Sequence, residues 1–104
     1  MSAYVIAHVD VTDPIEYQEY IRMSPASIKA YGGRFLARGG ETQVLEGDWQ
    51  PKRLVILEFP SATQARMWWE SAEYAPAKAK RNATSTSELI LIDGVPDYGG
   101  ASMI

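Results

Sequence analysis

The chain has 104 residues, 46% of them hydrophobic and 22% charged, an ordinary globular mixture with length for one domain and one thin core. Thirteen acidic residues against ten basic ones give a net charge of −3, which argues against nucleic acid and anionic membrane as main partners, because both need a basic excess or stripe. With no cysteine, disulfides, thiolate metal sites and cysteine nucleophiles are excluded.

Residues 1–6 lack the basic flank and long apolar stretch of a signal peptide, and no segment approaches membrane-spanning length, so a cytoplasmic protein is expected. Residues 3–11 read as a strand, with Tyr4, Val5, Ile6 and Ala7 apolar before His8, Val9, Asp10 and Val11 alternate. Asp13-Pro14-Ile15-Glu16 is a helix start: Asp13 can accept the N3 backbone N–H, Pro14 suits the first turn, and Glu16 can reach back to the cap. Tyr17, Tyr20, Ile21, Ser24, Ile28 and Tyr31 then keep a helical spacing. Ser24-Pro25 predicts a kink or a restart with Ser24 as second cap, since an interior proline loses a hydrogen bond and crowds the turn before it. Gly32-Gly33 ends the element in a left-handed cap.

Residues 34–46 are expected as a strand, with Gly39-Gly40 inside it as a bulge or a close backbone approach. Residues 53–59 form its hairpin partner across the loop 47–52, a register that sets Glu46 against Arg53 and Glu41 against Glu58. Ser61 caps a second helix with Gln64 at its third position, and Ala62, Ala65, Trp68, Trp69 and Ala72 lie along it. Glu73-Tyr74-Ala75-Pro76 breaks that helix and residues 76–82 make further turns. Lys78, Lys80 and Arg81 fall near their end, where the helix dipole favours cations. Residues 87–93, with Leu89-Ile90-Leu91-Ile92 at their centre, are the last strand. A single domain over 1–95 and a loose tail over 96–104 complete the organisation.

Strand, helix, strand, strand, helix, strand is the split βαβ order. It predicts an α+β, ferredoxin-like βαββαβ fold: a four-stranded antiparallel sheet, helices on one face, first and third strands central. Such a sheet should alternate apolar and polar residues on its wet face. Yet Leu54-Val55-Ile56-Leu57 and Leu89-Ile90-Leu91-Ile92 are apolar on both faces, and two helices cover only one. Leaving about six large side chains in water forgoes about 1.5–3 kcal/mol each. The pattern therefore predicts a homodimer packed sheet to sheet about a two-fold axis.

Several runs also resemble a known family. Ala3-Tyr4-Val5-Ile6-Ala7 with Val11-Thr12-Asp13-Pro14, Tyr31-Gly32-Gly33-Arg34-Phe35-Leu36, Arg38-Gly39-Gly40 and Leu45-Glu46-Gly47-Asp48-Trp49 are similar to the bacterial domain-of-unknown-function family numbered thirteen-thirty. Pro51-Lys52-Arg53-Leu54-Val55, Glu58-Phe59-Pro60, Ser71-Ala72-Glu73-Tyr74 and Pro76-Ala77-Lys78 extend the match, which runs from Ala3 to about Val95. The resemblance implies the dimeric α+β barrel superfamily, hence the same fold and the same dimer, with no established role. Relatives in that superfamily include cofactor-free monooxygenases, muconolactone-type isomerases and haem-degrading enzymes, so it selects no chemistry. The family pattern often has a carboxylate where this chain has His8.

His8, the only histidine, shares a strand face with Tyr4, Ile6 and Asp10. It is either a histidine at an interface rim or a base and hydrogen-bonding group in a pocket. Arg38, Glu41, Gln43 and Glu58 are expected near it on the partner-facing side, as a salt-bridge network or a ligand site. Trp68 and Trp69, about 100° apart on a helix, cannot both point inward, so one stands at an edge. Trp49 caps the partner or covers the hairpin. No phosphate cradle, nucleophile elbow or multi-histidine metal site is present; no metal and no cofactor is expected. A mixed histidine–carboxylate site stays open.

The function expected is a homodimer binding a small, partly apolar molecule in a cleft between helices and sheet. Tyr17 and Trp68 supply its walls and His8, Arg38 and Glu58 its polar contacts. The alternatives are a cofactor-free isomerase or monooxygenase acting on a small organic acid or phenol, and a structural, stress-associated dimer. In the catalytic case His8 or Glu58 is the base and Arg38 stabilises developing negative charge.

Overall fold

The computed structural model describes residues 1–96; the tail expected from 96 lies, apart from Pro96, outside the described residues. The elements are β1 (Ala3–Val11), α1 (Pro14–Ala30), β2 (Arg34–Arg38), β3 (Arg53–Phe59), α2 (Ala62–Glu70), α3 (Ala75–Thr84) and β4 (Ser85–Asp93). The strands form one antiparallel sheet in the order β2-β3-β1-β4. This is the ferredoxin-like α+β arrangement, with β1 and β3 central as the element order requires.

Alternation along β1 separates the two faces. Ala3, Val5, Ala7 and Val9 are buried under the helices, while Tyr4, Ile6 and His8 point the other way. On the helix side Trp68 is the hub of the core, its ring 5.4 Å from Phe59 and 4.1 Å from Tyr74. Its indole N–H donates to Ser27 Oγ at 3.1 Å, so the one polar atom of this buried ring is paired. Trp69 is 44% exposed, the outcome expected of adjacent tryptophans. On the other face Ile6 stands in register with Ile56 and Ile90, with Leu54 opposite His8 and Ile92 opposite Tyr4, and Ile90 and Ile92 are 60% and 51% exposed. No helix among the described residues is long and apolar enough to cross a membrane.

Helix ends follow local rules. Asp13 accepts from Glu16 N–H and Ser61 from Gln64 N–H, each at 3.1 Å. Glu16 does not return to the cap; it lies 3.4 Å from Lys80, and the Asp13 N–H donates to the Thr84 carbonyl instead. At the end of α1, Gly33 N–H donates to Ile28 and Gly32 N–H to Lys29, with Gly32 at φ +80°, the two-bond left-handed cap.

Three expectations are corrected. First, α1 is one helix across Pro25 and does not restart at Ser24. Proline leaves the carbonyl four residues back, that of Ile21, without its helical partner, and Arg38 Nη2 donates to that oxygen at 2.6 Å. Second, β2 ends at Arg38, and its irregularity falls between Phe35 and Ala37, not at Gly39-Gly40. Gly39 adopts φ +68°, and a Cβ there would sit 2.1 Å from Arg53 Nη1, so the chain turns out of the sheet beside that guanidinium. Third, the hairpin register differs: Glu58 pairs with Arg34, not Glu41, and Arg53 lies opposite Val9 in β1 while Glu46 stands in the exposed segment between β2 and β3.

Gly33 is a close-approach site, since an added Cβ would meet Phe59 Cε1 at 2.5 Å and Ile28 Cγ2 at 2.8 Å. Gly33→Ala is expected to destabilise by about 1–3 kcal/mol through overpacking, whereas Gly40→Ala, with nothing within 4 Å of the new atom, should stay within about 0.5 kcal/mol. Urea unfolding of both variants checks this; equal costs would mean that the contact of Gly33 with Phe59 is loose.

Candidate functional site

The strand alternation that buries Val5 and Val9 also turns two arginines toward the helices. Arg53 opens β3 on the inner face, two residues before Val55 and four before Leu57. Arg38 closes β2 opposite Val55. A third cation comes from α3, whose buried stripe runs Tyr74, Ala77, Arg81 and Thr84 at helical spacing. Arg38, Arg53 and Arg81 border one crevice between helices and sheet, walled by Tyr17, Trp68, Phe35 and Leu89 among others. It encloses about 420 Å³ between atoms, open solvent at its mouth included. The interior has room for about one water, and anything larger needs the mouth to widen.

Neutral groups hold the three guanidiniums. Arg38, exposed at the mouth, bonds the Ile21 carbonyl and lies 4.3 Å from the Phe35 ring centre. Arg81 is 5% exposed and donates to the Tyr74 hydroxyl, to Ser87 Oγ at 3.0 Å and to Asn82 Oδ1 at 3.4 Å. Arg53 lies 5.6 Å from the Tyr17 ring centre, and its Nε is buried with no acceptor. Among the described residues no carboxylate lies within ion-pair distance of any of the three, and none lines the crevice. The phenols do not supply the missing charge. Burial pushes Tyr17 above its usual pKa, with the Arg53 guanidinium opposing, and burial followed by the Tyr20 neighbour pushes Tyr74 up as well. Both are neutral at ordinary pH. The crevice is therefore cationic and apolar at once, and it has an unused N–H donor.

Of the residues singled out in the sequence, Tyr17, Arg38 and Trp68 come together at this crevice. His8 and Glu58 do not; they stand on the opposite face of the sheet, with Tyr4 and Ile6. His8 Nε2 accepts the Lys52 N–H at 3.0 Å, which assigns the ring proton to Nδ1, itself 3.8 Å from Glu88 Oε1. Trp49 meets the same ring edge-on at 5.5 Å, so this histidine pins the end of segment 39–52 to the sheet. Glu58 accepts from Arg34 at 2.7 Å and from Tyr4 at 3.2 Å. The expected cluster of His8, Arg38 and Glu58 is thus replaced by two sites, because Arg38 and Arg34 sit on opposite faces across the bulge. Arg53 and Arg81 were assigned in the sequence to an ion pair with Glu46 and to a helix end. The signal for both is periodicity: each cation falls in step with core residues of its own element.

The model of a family described as a domain of unknown function (DUF1330) matches residues 2–95 of the chain. Among curated proteins none matches. A protein of unknown function from Rhodopseudomonas palustris is similar in structure at TM-score 0.74 and 20% identity, over 91% of this chain and 83% of that one. SnoaB, a cofactor-independent oxygenase from Streptomyces nogalater, is similar at TM-score 0.62 and 17% identity, over 93% and 96%. A Nitrosomonas europaea protein provisionally assigned as an antibiotic biosynthesis monooxygenase is similar at TM-score 0.57 and 18% identity, over 92% and 100%. At such identities the likeness is one of fold alone.

The Arg34 hydrogen bond, ahead of its charge and the Tyr4 contact, holds the Glu58 carboxyl below the usual carboxylate value. A folded value below the unfolded one gives stability that is complete above the ordinary carboxylate range and is lost as pH falls through the folded value. Glu58→Gln should therefore lower the melting temperature at pH 7, and the gap from the unsubstituted protein should narrow as pH falls below the ordinary carboxylate range. Melts at stepped pH read this directly; a gap constant with pH would remove the ion pair from the account.

Proposed function

The chain belongs to the family of this domain of unknown function, and from that premise we propose a cytoplasmic homodimer that binds a small, partly apolar molecule between its helices and its sheet. One observation carries the binding site: Arg53 Nε is buried without an acceptor in a crevice walled by Tyr17 and Trp68. A buried donor left unmade costs about 1–3 kcal/mol, and an incoming acceptor removes that cost. Apolar walls with few polar groups suit a ligand whose body is hydrocarbon and whose polar end is small. Arg38 and Arg53 take the polar end, Tyr17 and Trp68 the body.

The dimer is supported by the other face. Ile6, Leu54, Ile56, Ile90 and Ile92 form a contiguous apolar layer that the helices do not reach. Packed against a second copy about a two-fold axis, each would gain about 1.5–3 kcal/mol of burial.

A catalytic cleft is the second choice, prompted by the oxygenase activity of the Streptomyces nogalater neighbour. Three guanidiniums suit a developing enolate or phenolate. Against it, neither His8 nor any carboxylate faces the crevice among the described residues, so the proton-abstracting base expected of His8 or Glu58 has no place there.

Two measurements test the proposal. Thermal shift against small phenols and carboxylic acids is expected to raise the melting temperature, with the Trp68 indole N–H resonance moving on titration; a panel with neither effect overturns the binding site. Sedimentation should give twice the 11.5 kDa chain mass, and Ile90→Lys should halve it. A stable single-copy particle at micromolar concentration overturns the dimer.

A further inference from the structure

Charge is the unexplained feature of the crevice. The chain carries thirteen acidic residues against ten basic ones, and Glu58 and Glu88 are spent on the far side of the sheet. Three guanidiniums nevertheless converge on one apolar crevice with no carboxylate beside them among the described residues. A buried, unpaired guanidinium is costly in a medium where water is scarce. Neutral acceptors, here the Ile21 carbonyl, the Tyr74 hydroxyl and Ser87 Oγ, reduce that cost without cancelling the charge. A water at Arg53 Nε would do the same. An anion would do both.

We infer that the ligand of this crevice is a small monocarboxylate with an apolar body, its carboxylate received by Arg53 and Arg38. The inference deepens the proposed binding site and rests on it. A carboxylate has two in-plane oxygens that match the paired N–H donors of a guanidinium, and Arg53 presents the donor that is free. Arg38 stands exposed at the mouth, its Nη2 held by the Ile21 carbonyl, so an arriving carboxylate exchanges a neutral acceptor for a charged one. Arg81 lies deeper and already meets three neutral acceptors; it contributes field and no direct bond. The body follows from the walls, Val9, Phe35, Val55, Trp68 and Leu89. They accept hydrocarbon and give nothing to a polyol or to a bare inorganic ion. The interior as it stands has room for about one water, so the body enters as the mouth widens.

The test compares benzoate with its neutral isostere benzamide on the full-length chain at pH 7 and fixed ionic strength, with inorganic phosphate as a charged probe lacking an apolar body. Binding is followed by the Trp68 indole N–H resonance and by melting temperature. Benzoate should bind at least tenfold more tightly than benzamide, and phosphate should leave the Trp68 resonance unmoved. Arg53→Gln should bring benzoate down to the benzamide level. Arg38→Gln should cut the preference severalfold on its own, with a melt of the variant separating that loss from the loss of its bond to the Ile21 carbonyl. If benzamide binds as tightly as benzoate, the anion assignment is overturned and the binding site stands. A Trp68 response to phosphate equal to that for benzoate overturns the apolar body. If no probe moves the resonance, the binding site and the anion assignment fall together.

Discussion

Successive side chains of a β-strand point to opposite faces, and here the helices cover one of those faces only. Nearly every role in the molecule follows from that constraint. Odd-numbered residues of β1 from Ala3 to Val9 pack under the helices, and Tyr4, Ile6 and His8 look the other way. The charges are sorted by the same rule. Arg34 and Glu58 meet on the outer face as a hydrogen-bonded pair, while Arg38 and Arg53, a few residues along the same strands, turn inward and find no carboxylate among the described residues. One sheet thus separates a neutralised surface from a cationic interior.

The interior tolerates that charge through backbone and hydroxyl oxygens. Pro25 is the instructive case. Placed inside α1, it deprives the Ile21 carbonyl of its helical donor, and the guanidinium of Arg38 occupies that oxygen. A defect in one element is therefore the anchor for a side chain from another. Arg81 is held in the same way by the Tyr74 hydroxyl and Ser87, with Tyr20 completing the chain of hydroxyls at 2.9 Å from Tyr74. Places where local rules are broken without a structural gain are where function is usually found, and Arg53 Nε, buried and unpaired, is such a place.

Much of the fold was legible in short-range chemistry. Asp13, Ser61 and Gly32 mark helix ends because caps depend on the residue itself and its nearest backbone. The apolar runs of β3 and β4 mark strands that are apolar on both faces. Ser24-Pro25 does not restart the helix, since the loss of one helical hydrogen bond is offset by Arg38, thirteen positions further on. The end of β2 misled. Residues after Gly39 keep some alternation, but the backbone has already left the sheet to pass the Arg53 side chain. Of the site, Tyr17, Trp68 and Arg38 were recognisable as wall and cation, whereas His8 and Glu58 belong to the other face.

By itself the amino-acid order determined the elements, their succession and the doubly apolar character of the sheet, because these depend on periodicity within a few residues. Which cations share a crevice was decided only in three dimensions. The bulge between Phe35 and Ala37 sets the face of Arg38, the pairing of β3 with β1 sets that of Arg53, and the packing of α3 brings in Arg81. Register and packing are agreements between segments far apart in the chain, and a shift of one residue in any strand would have turned its side chains to the opposite face.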